Sequence, residues 1–212
     1  MKKLLTEFIG TFFLVLTIGL VVLNGTPAAP LAIGSALMIM VYMGGHISGG
    51  HYNPAVTLAI LARGAMERRD VIPYWLAQIA GALAAAAVVA LVTGSTFAPA
   101  PAPDAGVLAP LVVELLFTFA LALVVLNTAT AEETEGNSYF GLAIGFTVMV
   151  GAFAGGPISG GAFNPAVGIG PILWSAAFGG GSMGDLWLYL VGPVAGGWLA
   201  SAVFRAQHAA AD

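Results

Sequence analysis

Two tripeptides carry the most specific chemistry in this chain, Asn53-Pro54-Ala55 and Asn164-Pro165-Ala166. Asn is favoured at a helix N-cap, where its side-chain oxygen accepts from free backbone N–H groups. Pro is favoured at the first helical position, where its missing N–H is no loss. Each tripeptide therefore predicts a helix start, with the amide NH2 of the Asn left as a donor toward the space beyond. A helix start also carries roughly +0.5 charge from its aligned peptide dipoles. Two starts facing each other make an electropositive point with two donors and no acid beside it. Such a point repels cations and protons and orients the oxygen of water or an alcohol. A single Asn-Pro pair is an ordinary turn start, so the matched pair carries the information.

The remaining candidates are few. Glu7 and Glu114 sit inside apolar runs, where an acid is functional by default. They hold equivalent places in the two halves, which favours a shared structural task. Each is expected to accept hydrogen bonds from the glycine-rich backbone of its own half. His51 lies two residues before Asn53, with its carbonyl as the expected contributor and its ring as packing. His46 reads as a packing or interfacial group and His208 as a solvated tail residue. No His/Asp/Glu cluster has metal-ligand spacing, and no Ser/His/Asp arrangement is suggested. The chain has no cysteine, which removes disulfides and thiolate sites. Metal ions, cofactors and enzymatic chemistry are therefore not expected.

The tripeptides sit in a longer repeat. Ile47-Ser48-Gly49-Gly50-His51-Tyr52-Asn53-Pro54-Ala55-Val56 recurs as Ile158-Ser159-Gly160-Gly161-Ala162-Phe163-Asn164-Pro165-Ala166-Val167. Glu7 with Thr11-Phe12 recurs as Glu114 with Thr118-Phe119, and Gln78-Ile79-Ala80-Gly81 has a weaker echo in Pro193-Val194-Ala195-Gly196. The glycines Gly44, Gly45, Gly49 and Gly50, and the run Gly155, Gly156, Pro157, Gly160 and Gly161, are poor helix formers and predict helix breaks. The apolar runs after them, 54–63 and 165–177, are too short to span and read as re-entrant half-helices. Irregular backbone at membrane depth must be buried in protein or line a water-filled cavity. Gly49, Gly50, His51 and Gly160 are therefore the expected pore-lining backbone.

Composition supports a membrane setting. Of 212 residues, 59% are hydrophobic and 8% charged, against roughly 25% charged in soluble domains. Six Lys and Arg cannot make a basic patch for nucleic acid. Charge-free stretches place six spans near 4–23, 29–47, 71–93, 109–128, 139–157 and 186–207, in an all-α membrane fold. Three spans per copy is odd, so the second copy enters the bilayer from the opposite side, and an inverted repeat puts its site at the midplane. Residues 1–212 read as one domain, with repeat one about 1–97 and repeat two about 107–208. Lys2, Lys3, Arg63, Arg68, Arg69 and Arg205 all fall on the side of both termini, which makes that side cytoplasmic. The Pro/Ala-rich segment 98–110 is then an outer, flexible loop without a packed core of its own.

Taken together these residues resemble the aquaporin and aquaglyceroporin family, the major intrinsic proteins. The likeness covers essentially the whole chain: both Asn-Pro-Ala boxes, His46-Ile47-Ser48-Gly49-Gly50-His51 before the first, and two Glu-x-x-x-Thr-Phe helices. It implies a right-handed six-helix bundle with two half-helices, one pore per protomer, a homotetramer in the cell membrane, and passive transport without a cofactor. It also implies an outer selectivity filter, whose positions fall on Ile33, Ala152, Gly161 and Val167. The family's filter arginine is replaced by Val167, and the Asp usual after it in glycerol conductors is Gly168. The expected result is a wide, apolar filter passing water and small neutral solutes such as glycerol, urea or undissociated metalloid acids. A coupled transporter would need a coupling-ion site and a cation channel would need acidic lining, and neither is evident.

Overall fold

The structure is a computed structural model and describes residues 1–209; the last three residues of the expected domain lie outside them. Eight α-helices follow one another: α1 (Lys2–Asn24), α2 (Ala29–Ser48), α3 (Pro54–Arg63), α4 (Arg68–Thr93), α5 (Leu108–Ala129), α6 (Phe140–Ser159), α7 (Pro165–Phe178) and α8 (Leu188–Gln207). Six of them are 20 to 26 residues long and apolar enough to cross a membrane. At 1.5 Å per residue they reach the roughly 30 Å of a hydrocarbon core. The other two, α3 and α7, have 10 and 14 residues and cannot span. The protein is a multi-pass membrane protein.

The helices pair the same way in each half. Gly81 of α4 lies against α1, where an added Cβ would stand 2.5 Å from the Phe8 carbonyl oxygen. Gly196 of α8 lies against α5, where it would stand 2.8 Å from Phe119 N. The halves join where α2 crosses α6. There a Cβ on Gly34 would lie 2.6 Å from the Gly145 oxygen, so both helices need glycine to approach this closely.

The helices do not break where glycine content alone suggests. Gly44 and Gly45 stay within α2, and Gly155, Gly156 and Pro157 stay within α6. Without water to compete for the backbone, glycine remains helical in a bilayer and serves close packing instead. A Cβ on Gly44 would meet Thr6 Cγ2 at 2.5 Å, and one on Gly155 would meet Val113 Cγ1 at 2.6 Å. The chain turns only at Gly49-Gly50 (φ 95° and 63°) and Gly160-Gly161 (φ 88° and 66°), in the left-handed region where glycine is tolerated.

The segment after α4 also departs from expectation. Phe97 is buried beneath α1 and α4, and Ala102 N donates to the Ile158 carbonyl at 3.0 Å. The first part of the Pro/Ala-rich loop is thus docked on the bundle. An aromatic ring with an apolar slot, and an open carbonyl near the end of α6, account for the docking.

On the face carrying both termini, two arginines fasten α3. Arg63 donates to the Thr130 carbonyl at 2.5 Å and stacks over Phe204 at 5.0 Å. Arg205 donates to the Ala62 carbonyl at 2.6 Å. His208 is exposed, as expected of the tail, and it also packs on Phe204 and reaches Glu133 at 3.4 Å and Asn127 Oδ1 at 3.1 Å.

Candidate functional site

The two short helices begin at the centre of the bundle. Asn53 caps α3 with its Oδ1, which accepts from Ala55 N at 2.8 Å and Val56 N at 3.5 Å. Asn164 caps α7 and accepts from Ala166 N at 2.9 Å. The side-chain NH2 groups do not point only into open space. Asn53 Nδ2 donates to the Phe163 carbonyl at 2.9 Å, and Asn164 Nδ2 donates to the Tyr52 carbonyl at 2.9 Å. Each half thus fixes the loop of the other. An amide nitrogen carries two hydrogens, so one on each Asn remains for a passing oxygen.

The residue before each Asn is strained. Tyr52 and Phe163 have φ of 49° and 48°, a left-handed conformation uncommon outside glycine. Two buried acids hold it. Glu7 accepts from Ser48 Oγ at 2.7 Å, His51 N at 3.0 Å and Tyr52 N at 2.7 Å. Glu114 accepts from Ser159 Oγ at 2.8 Å, Ala162 N at 3.0 Å and Phe163 N at 2.7 Å. Both acids are fully buried, and neither lines the cavities described below.

Sequence reasoning did not single out the supporting residues. Tyr74 donates to the Ser48 carbonyl at 2.7 Å, and Tyr189 donates to the Ser159 carbonyl at 2.6 Å. The signal was present: each Tyr precedes a packing glycine, Gly81 or Gly196, by the same spacing. Gln78 adds a fourth donor to Glu7, at 2.9 Å, and also donates to Thr57 Oγ1 at 3.0 Å. Thr57 in turn contacts His51 Nδ1 at 3.1 Å. The second half has Pro193, Gly168 and Ala162 at the matching positions, so only the first half extends its network this way.

A cavity of about 470 Å³ descends from Val22 and Pro30, past Phe97 and Ala100, to Asn53 and Asn164. Ile33, Ala152, Gly161 and Val167 all lie on its wall, as do Gly50, His51 and Gly160. Among the described residues its lining contains no Asp, Glu, Lys or Arg. Gly49 lies instead on a second cavity of about 480 Å³ toward the termini, with Lys3, Glu67, Asp70 and Tyr74. His46 is exposed beside a third cavity, at the 130–137 connection. Gly168 faces Tyr189, where an added Cβ would lie 2.5 Å from Tyr189 Cβ, so an Asp has no room there. No group of three or more His, Cys, Asp or Glu able to hold a metal occurs among the described residues.

Six spans and two half-helices meeting head to head beside an apolar passage define a membrane-channel architecture. The chain belongs to the major intrinsic protein family, whose model matches residues 1–204. It is 39% identical over 205 residues to a protein of Oryza sativa subsp. japonica named Aquaporin NIP1-4, covering 92% of this chain and 73% of that one. It is 38% identical over 211 residues to Glycerol uptake facilitator protein-like 6 of Lactiplantibacillus plantarum, covering 95% of each. Its fold matches the X-ray structure of the aquaglyceroporin from Plasmodium falciparum with a TM-score of 0.81, at 21% identity, over 96% of this chain and 94% of that one.

Proposed function

We propose that this chain is a passive, non-enzymatic channel for water and small uncharged solutes, such as glycerol, urea or undissociated metalloid acids. One observation carries the reading: Ile33, Ala152, Gly161 and Val167 lie on one cavity that reaches the Asn53–Asn164 pair without a charged residue on its wall. Those four positions are its wide, apolar selectivity filter. Selection against cations rests on the two helix starts and the remaining Asn donors. Gly50, His51 and Gly160 contribute lining backbone, and Glu7 and Glu114 are structural. The likeness to a protein named a glycerol uptake facilitator supports the solute class. The protein works as a homotetramer in the cell membrane, with both termini cytoplasmic.

Stopped-flow light scattering on proteoliposomes tests the reading. Under a sucrose gradient the vesicles shrink fast and stay shrunken. Under a glycerol gradient they shrink and then rapidly reswell. Fast shrinkage with no glycerol re-entry would mean a water-selective pore and refute the wide filter.

A further inference from the structure

We propose that the backbone N–H of Ala100, in the outer connection after α4, belongs to the filter and donates to a solute oxygen beside Gly161. The inference rests on the channel reading above. The side chains of Ile33, Ala152, Gly161 and Val167 carry no hydrogen-bonding group. A hydroxyl that sheds water at their level must find its partner in backbone, or the unmade bond slows its passage. The outer connection brings backbone to that place. Phe97, Pro99 and Ala100 lie on the same cavity wall as the four filter positions. A Cβ on Gly160, the residue before Gly161, would stand 2.8 Å from Ala100 N and 2.8 Å from its carbonyl oxygen. Ala100 is exposed, and its N–H has no hydrogen-bond partner among the described residues.

The segment is anchored on both sides of this residue. Before it, Thr96 Oγ1 meets Ser175 Oγ of α7 at 3.1 Å. The buried Phe97 ring lies against α1, where a Cβ on Gly19 would stand 2.8 Å from Phe97 Cζ. After it, Ala102 N donates to the Ile158 carbonyl at 3.0 Å. Between the anchors runs Ala98-Pro99-Ala100-Pro101. Each proline fixes its own φ near −65° and keeps the residue before it extended. Backbone of this kind makes no hydrogen bonds to itself, so its polar groups stay open to other partners. Positions 99, 101 and 103 have no N–H at all, and Ile158 takes that of Ala102. Of the two that remain, at Ala98 and Ala100, the second is the one set against Gly160. It supplies the donor that Val167 lacks, from a strap whose conformation is fixed before a solute arrives.

The test measures glycerol permeability of proteoliposomes holding equal amounts of wild type, Ala100→Pro or Ala100→Val. Proline at 100 deletes the N–H, and the extended conformation imposed by Pro101 is one that proline itself adopts. Valine adds the same number of carbon atoms and keeps the N–H. Loss of one hydrogen bond predicts a fall in glycerol permeability of about 2- to 10-fold for Ala100→Pro, with Ala100→Val close to wild type. Size-exclusion chromatography before reconstitution confirms that each variant is folded. Wild-type permeability in Ala100→Pro, or an equal fall in both variants, would overturn the assignment while leaving the channel reading in place. If the wild type conducts water and no glycerol, the solute reading fails instead. The same comparison is then made on water, whose oxygen accepts from the same N–H: a fall in Ala100→Pro alone supports the donor, and unchanged water permeability overturns it.

Discussion

Asn53→Asp exchanges one atom's chemistry at the centre of the pathway and leaves its shape intact. Asn53 is 3% exposed, its Oδ1 caps α3, and its Nδ2 donates to the Phe163 carbonyl at 2.9 Å. The cap survives, because Asp and Asn are comparable N-caps. A carboxylate beside a helix start gains about 0.3–1 kcal/mol. The crossing bond is lost, and two acceptors then face each other, at a cost of about 1–3 kcal/mol for a buried polar group left unmade. The net destabilisation of about 1–2 kcal/mol is smaller than a typical stability of about 5–15 kcal/mol, so the variant should fold. The electrostatics change more. Two helix starts of roughly +0.5 each are now offset by one full negative charge. At roughly 6 Å and an effective dielectric of about 20, that charge lowers the energy of a cation by about 3 kcal/mol. Cation or proton leak should therefore rise about a hundredfold. A pH-sensitive dye inside vesicles under an imposed potential measures it. Wild-type leak from folded Asn53→Asp, and from Asn164→Asp as its counterpart, would refute the claim that the helix starts exclude cations.

Val167→Arg places a long side chain in the outer cavity. It should lower glycerol flux by about 10-fold or more while sparing some water flux; equal retention of both in light scattering would remove Val167 from the filter. Glu114→Ala strands three donors, Ser159 Oγ, Ala162 N and Phe163 N. At about 1–3 kcal/mol each, it should collapse the yield of monodisperse protein in size-exclusion chromatography. A well-folded variant with altered selectivity alone would place Glu114 in the pathway. Gly145→Val forces a branched side chain against the Gly34 carbonyl and Met38, where even a Cβ would lie 2.6 Å from Met38 Cβ. It should lower thermal stability by at least about 1–3 kcal/mol, read from the unfolding midpoint; an unchanged midpoint would mean α2 and α6 do not pack as closely as described.

The six spans were legible because the charge gaps are long and the bilayer thickness fixes helix length. The helix breaks were less so. Gly44-Gly45 and Gly155-Gly156-Pro157 look like breaks when each residue is weighed by a propensity measured in water. In the bundle the same glycines let Tyr52, Thr6 and Val113 come close, and the helices run on to Ser48 and Ser159. The docking of Phe97 beneath α1 was hidden by the low-complexity residues around it. At the centre, a helix start can be read from Asn-Pro in one dimension. The crossing of each Asn amide to the other half's carbonyl cannot, because it depends on two loops far apart in sequence meeting in space. Gln78 escaped notice for a related reason. Its echo in the second copy is Pro193, so the repeat that exposed the shared frame concealed the group unique to one half.

That difference separates the frame of the pathway from its lining. Glu7 with Ser48 and Tyr74, and Glu114 with Ser159 and Tyr189, hold the same loop geometry in both halves, and none of the six lies on the wall of the cavity that reaches the Asn53–Asn164 pair. The lining positions make few of these bonds. Val167 is 3% exposed and contributes to the cavity wall, while the hydrogen bonds fixing its neighbourhood run through Glu114 and Asn164. A valine can therefore stand where the family resemblance anticipates an arginine without any bond of the frame being lost. The first half differs: His51 lies on the lining and is tied by Thr57 and Gln78 to Glu7 itself. Substitutions at Ile33, Ala152 or Val167 on the outer wall should alter permeation with little effect on folding, whereas changes at His51 should alter both, because there the frame and the lining share a side chain.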